Sequence, residues 1–249
     1  MKIKTYCRYC RGALDKEEFY HTECHDLVEA YEQQNIPLTE FLKKYYYYSG
    51  NIDEIEEVYL NYRGIKILPE IIGELKSLRY FDLSNNKLVS LPESIGNLRN
   101  LKKLSLYSNK LTTLPDSIGN LKNLEWLFLS DNHLKFLPES IVNLENLRRL
   151  DLSSSSLECL PEFIGELKNL EELDLSNNNL EFLPEFIGNL KNLKKLYLRD
   201  NIELTTLPEF ICELEDLRTL DVRFTKIKYY DLQLLFSGRN INLKVYTDG

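Results

Sequence analysis

Between positions 55 and 236 the apolar residues keep a fixed order, L-x-x-L-x-L-x-x-N-x-L-x-x-L-P-x-x-I-G-x-L-x-x. The copy that starts at Leu101 shows it whole, with Leu104, Leu106, Asn109, Leu111, Leu114, Pro115, Ile118, Gly119 and Leu121 in their places. Leu104 and Leu106 stand two apart, which predicts a short strand with both leucines on one side. The stretch from Pro115 to Leu121 then carries the chain back on the opposite side. Units begin at Ile55, Leu78, Leu101, Leu124, Leu147, Leu170, Leu193 and Leu217, so eight copies are expected, two of them imperfect ends. One unit cannot bury its own leucines. Stacking the units side by side makes a parallel sheet and joins the leucines of all turns in one continuous core.

The prolines set the period. Seven of the eight are Pro69, Pro92, Pro115, Pro138, Pro161, Pro184 and Pro208, spaced 23, 23, 23, 23, 23 and 24 residues apart. A fixed period in the twenties is the mark of a solenoid. The pattern resembles the leucine-rich repeat family in its 23-residue variety with an L-P-x-x-I-G-x-L segment. That resemblance implies an α/β solenoid of about eight units with a parallel, concave sheet. Within the family the repeat class is similar to the intracellular Ras-group proteins, which implies a non-catalytic interaction scaffold and a small GTPase or another signalling protein as partner.

Other columns have their own physical duties. Asn86, Asn109, Asn132, Asn178 and Asn201 form a column of amides able to bond the loop backbone of their own and the neighbouring turn. Ser155 interrupts it, and a hydroxyl replaces only part of that bonding, so a local weak point is expected there. Gly73, Gly96, Gly119, Gly165 and Gly188 are expected to allow a tight turn, with Val142 and Cys212 as exceptions. Cys159 and Cys212 read as buried or half-buried free thiols. Between Asn201 and Leu207 one unit is a residue longer, which predicts a bulged loop beyond an unbroken strand. The ends are irregular, with Arg63 and Thr225 replacing asparagine, as terminal repeats with only one neighbour should be. After the last unit, Tyr230 to Phe236 reads as helical and Ile241 to Tyr246 as a closing edge strand.

Four segments follow: 1–25, 26–54, the repeats at 55–236, and a closing strand within 237–249. The first contains Cys7-x2-Cys10-x10-His21-x2-Cys24, the ligand types and spacings of a structural zinc site, resembling small treble-clef or zinc-knuckle fingers. Cys7 and Cys10 flank a two-residue turn, and His21 and Cys24 lie three apart, on one face of a helix. His25 stands as an alternative to His21. Four protein ligands would close the shell and leave no position for a catalytic water. Reduced, unpaired cysteines or a Cys7–Cys10 redox pair are the competing readings. Residues 26–54 read as two helices broken at Pro37, with Phe41, Leu42, Tyr45 and Tyr46 covering the open end of the core.

The chain carries 31 Lys and Arg against 39 Asp and Glu, a net charge of −8. This excess of acid disfavours nucleic acid as the principal ligand. No apolar run reaches the ~18 residues of a membrane span and the start lacks a signal-peptide core, so a cytoplasmic protein is expected. No enzyme emerges: the glycines follow the repeat, and His133 has no nucleophile-like partner nearby.

Function is therefore sought on the outward positions of the strands, the third, fifth and seventh of each unit. These columns vary while the leucines stay fixed. Tyr80, Lys103, Tyr107, Trp126, Phe128 and Arg149 fall on them in adjacent turns and form the candidate partner-binding site, since aromatics beside arginine are typical of interface hot spots. The competing reading is a self-satisfied ladder in which Lys103, Trp126 and Arg149 stack as cation–π neighbours. A nucleic-acid-associated regulator, using the finger's basic residues Lys2, Lys4, Arg8, Arg11 and Lys16, is the alternative function.

Overall fold

The computed structural model describes residues 52–237 and 243–248. The zinc motif at Cys7, Cys10, His21 and Cys24 and the two helices expected within 26–50 lie outside the described residues. A single 3-10 turn, Ile52–Glu54, leads into the first repeat.

Nine three-residue strands follow: β1 Glu57–Tyr59, β2 Tyr80–Asp82, β3 Lys103–Ser105, β4 Trp126–Phe128, β5 Arg149–Asp151, β6 Glu172–Asp174, β7 Lys195–Tyr197, β8 Thr219–Asp221 and β9 Lys244–Tyr246. They form one parallel sheet in sequence order, and equivalent positions pair directly, as in Lys103 with Trp126 and Trp126 with Arg149. The ninth strand is the closing one expected after the last unit, and it pairs with β8. A short helix, α1 (Tyr229–Leu235), precedes it.

The strand leucines and the loop leucines converge as one core, with Leu101, Leu104, Leu106, Leu111, Ile118 and Leu121 all fully buried in a single turn. On the far side each unit closes with a five-residue 3-10 turn such as Asp116–Asn120, entered from Pro115 in the extended conformation (φ −70°, ψ 152°). Proline's fixed φ suits that entry, and its missing N–H costs nothing where no ladder bond is needed.

Glycine occupies the fourth place of these turns for a reason other than turn conformation. None of Gly73, Gly96, Gly119, Gly165 and Gly188 has a positive φ. Instead, a Cβ on Gly119 would stand 2.3 Å from the Ser140 carbonyl oxygen of the next coil. The coils pack too closely there for a side chain.

The asparagine column bonds as its chemistry suggests. Asn132 donates from Nδ2 to Leu106 O at 3.0 Å and to Leu129 O at 2.9 Å, and accepts from Leu111 N at 2.9 Å. Asn109 and Asn178 repeat the arrangement in their own turns. At Ser155 the side chain reaches only Ser153 O, at 3.4 Å, and the loop there takes a second left-handed residue, Ser156, beside Ser154. The sheet continues through this unit, as β5 pairs with β6 in full register.

The longer unit behaves likewise. Ile202 and Glu203 form a turn closed by the Leu204 N–H on Asn201 O at 3.1 Å, Leu204 fills the core position, and β7 pairs with β8 without a break. Cys159 departs from expectation. It is exposed, because it occupies the same outward rim column as the exposed Phe136 and Phe182 of the neighbouring units, whereas Cys212 is half-buried and donates to Leu235 O at 3.0 Å.

Candidate functional site

The strands are short, and their pairing fixes the outward side chains in straight columns across the sheet. Tyr80 on β2, Lys103 on β3, Trp126 and Phe128 on β4 and Arg149 on β5 are neighbours in that lattice, and Tyr107 follows β3. All six candidate residues thus meet on one surface. Lys103 Nζ lies 4.9 Å from the Tyr80 ring centroid and 5.1 Å from that of Phe128. The Arg149 guanidinium lies 5.0 Å from the same Phe128 ring. Phe128 is therefore flanked by two cations. The stacking uses Tyr80 and Phe128, not Trp126 as the ladder reading supposed. Each such contact is worth about 0.5–1 kcal/mol at an exposed site.

Tyr80, Trp126 and Phe128 are half-buried among these neighbours, and Tyr107 is 38% exposed. The patch is firm and still accessible. Other outward positions are sheltered: Ser84, Ser105 and Asp221 are buried.

Toward the carboxyl end the face neutralises itself. Glu172 pairs with Arg149 at 3.2 Å and with Lys195 at 3.1 Å. One column earlier, Glu171 pairs with Arg148 at 3.0 Å and Lys194 at 2.7 Å, and these cations hold its carboxyl below the usual range against a small cost of burial. Asp221 is buried, which pushes its carboxyl up, but the bonds from Arg223 Nε (2.9 Å) and Nη2 (2.5 Å) outweigh that and leave it lowered. Asp174 goes the other way. Burial raises its carboxyl, and the like charge of Asp151 adds to the shift, despite the bond from Ser176 N at 2.9 Å. Two further cation–ring contacts, Arg199 with Phe224 (5.0 Å) and Arg223 with Tyr246 (5.5 Å), lie at the far end.

A column that the sequence reading passed over lies at the edge of this face. Tyr62, Asn85, Ser108, Asp131, Ser154, Asn177, Asp200 and Phe224 all have φ between 53° and 59°. The signal was present in the run of Asn, Asp and Ser, which tolerate the left-handed region better than other residues do. The aromatics Tyr62 and Phe224 hold that conformation in the terminal coils.

A family model described as a leucine-rich repeat region matches residues 57–127, 95–199 and 138–228. The chain is a leucine-rich repeat protein. Among solved structures, a leucine-rich repeat protein of Leptospira interrogans is 35% identical with a TM-score of 0.72, over 78% of this chain and 49% of its own. The repeat domain of the type III effector XopL is 30% identical with a TM-score of 0.67, over 78% of this chain and 68% of its own. The plant peptide hormone receptor RGFR1, solved in complex with RGF2, is 30% identical with a TM-score of 0.65, over 78% of this chain and 32% of its own. The repeat protein thus spans about half the length of the Leptospira chain and about a third of the receptor. Comparison with curated proteins finds no match. Among the described residues, no group of His, Cys, Asp and Glu could hold a metal ion, and no helix is long and apolar enough to cross a membrane. Leucine-rich repeats generally mediate protein–protein interaction.

Proposed function

We propose that this repeat protein is a non-catalytic cytoplasmic scaffold that captures a protein partner on its sheet face through Tyr80, Lys103, Tyr107, Trp126, Phe128 and Arg149. The observation that supports this is the clamped Phe128 ring, flanked by Lys103 and Arg149 next to half-buried Trp126. Rigid aromatic anchors with a nearby arginine supply contact area at little entropic cost. The plant peptide hormone receptor RGFR1, similar in fold and sequence, is solved in complex with RGF2, which fits the same use of the fold. The Ras-group resemblance makes a small GTPase or a related signalling protein the partner class.

The amino-terminal motif fits a structural role. Cys7, Cys10, His21 and Cys24 would hold one zinc ion in a closed four-ligand shell and supply folding energy that so short a segment does not draw from a core of its own. Metal content of the untagged chain is expected at one zinc per molecule and lost in Cys7→Ser, Cys24→Ser; wild-type zinc in that variant contradicts the assignment.

The test of the scaffold reading compares capture of partners from native extract by wild type, Trp126→Ala and Phe136→Ala, the last being 76% exposed on the rim. Trp126→Ala is expected to lose at least ~10-fold of the captured partner, the scale of one hot-spot residue, while Phe136→Ala retains it. The reverse result would move the binding site to the rim.

A further inference from the structure

Among the described residues, two cations in the third-position column of the sheet face lack an anion, Lys244 on the terminal strand and Lys103 in the middle of the aromatic patch. Lys103 has no carboxylate within 4.0 Å among the described residues, whereas Arg149 and Lys195, in the same column, both pair with Glu172, and Lys102 next to it pairs with Glu125 at 3.0 Å. The rings of Tyr80 and Phe128 flank its ammonium and keep part of its hydration away.

The same face holds three anions, Asp82, Asp151 and Asp174, with no cation bonded to them among the described residues, and the last two stand side by side. Asp151 and Asp174 are register partners on β5 and β6. Each uses Oδ1 to accept from the serine two residues on, Asp151 from Ser153 N at 3.1 Å and Oγ at 2.7 Å, and Asp174 from Ser176 N at 2.9 Å. Burial and mutual repulsion already raise the Asp174 carboxyl. Between Lys103 and this aspartate pair lie Trp126 and Phe128. Alongside runs a shelf made by the short side chains Ser130, Ser153 and Ser176.

We propose that the partner presents an extended segment running across the strands, with a carboxylate seated on Lys103, an apolar side chain against Trp126 and Phe128, and a cationic side chain over Asp151 and Asp174. This rests on the partner-binding reading above and gives it a chemistry. The spacing follows from the lattice. Two to three strand separations span about 10–14 Å, which an extended chain covers in three or four residues. An α-helix would need about seven to nine residues for the same distance. The partner segment therefore carries an acid and a base three or four positions apart around an apolar residue.

The experiment pans a random 12-mer peptide display library on the full 249-residue chain, then measures the best peptide against variants that melt no lower than wild type. Enriched peptides are expected to share the acid–apolar–base spacing. Lys103→Gln should weaken the best peptide at least ~10-fold, and replacing the peptide's own acid should add little further loss on that variant, because both changes remove one contact. Asp151→Asn with Asp174→Asn should do the same for the peptide's base. Enriched peptides without the charge pair, losses that multiply independently, or no enrichment at all overturn the proposal. Peptides sensitive to Trp126→Ala but indifferent to Lys103→Gln overturn the charge pairing and leave the face as the binding surface. Peptides indifferent to Trp126→Ala overturn the face itself.

Discussion

Replacing Ser155 by asparagine should stabilise the protein. In the regular turns each asparagine carries two donor bonds to buried carbonyls and at least one acceptor bond from a buried amide, as Asn132 does with Leu106 O, Leu129 O and Leu111 N. At Ser155 the equivalent amide, Leu134 N, has no hydrogen-bond partner among the described residues, and Leu129 O accepts from Asn132 alone. An asparagine at 155 would give Leu134 N an acceptor and add a second donor to Leu129 O and Leu152 O. A net hydrogen bond is worth about 0.5–1.5 kcal/mol, and relief of an orphaned buried amide about 1–3 kcal/mol. Against this stands the cost of moving Ser156 out of its left-handed conformation (φ 58°) so that the loop matches its neighbours. The balance is a gain of about 1–2 kcal/mol, which for a chain of this size raises Tm by about 2–8 °C. The reciprocal change, Asn132→Ser, strands Leu129 O and Leu111 N and should cost about 2–4 kcal/mol. Urea and thermal melts of both variants and wild type, followed by circular dichroism, measure the two effects. A neutral or destabilising Ser155→Asn together with a loss below about 1 kcal/mol for Asn132→Ser would refute the hydrogen-bond account of this column.

Gly119→Ala should destabilise by about 1–3 kcal/mol, the range for overpacking, since its Cβ would meet a backbone oxygen at 2.3 Å; an unchanged urea midpoint would show that the coils separate freely. Asp174→Asn should stabilise at neutral pH by a few tenths to about 1 kcal/mol, because it removes a charge that is costly to bury and that repels Asp151. The sign of its pH dependence is set by the raised carboxyl: the folded protein holds this proton more tightly than the unfolded chain, so Asp174 disfavours folding when ionised and ceases to do so as pH falls through its folded value. The variant's advantage should therefore vanish in acid, and an advantage independent of pH would point to packing. Asp221 has the opposite sign: held low by Arg223, it contributes stability present above the ordinary carboxylate range and lost as pH falls, so Asp221→Asn should destabilise at neutral pH in melts repeated across pH 3–7.

Much of the fold was legible because its information is periodic. Leu104 and Leu106 two apart set strand and face, and Asn109 fixed where the loop bends, so registers, core and the bulge at Ile202–Glu203 could be placed from spacing alone. What escaped depends on contacts between coils. The glycines at Gly96 and Gly119 looked like turn formers, and only stacking reveals that the next coil's carbonyl occupies the space of their Cβ. Cys159 was expected buried or half-buried because cysteine usually is, yet its place on the rim exposes it. At the candidate site, the columns brought Tyr80, Lys103, Trp126, Phe128 and Arg149 together on paper. Which ring each cation covers was decided by side-chain rotamers, which spacing does not carry, and both cations chose Phe128.

The claim that a partner sits on the sheet face is tested most directly by contact mapping. A photo-crosslinking phenylalanine analogue is placed at Tyr107 on the face, at Phe136 on the rim and at Asn143 in the far-side turn, each position being exposed in the free chain. Irradiation in native extract should join the partner to the probe at 107 and leave 136 and 143 unlabelled. Partner crosslinked at 136 or 143, with none at 107, would contradict the account.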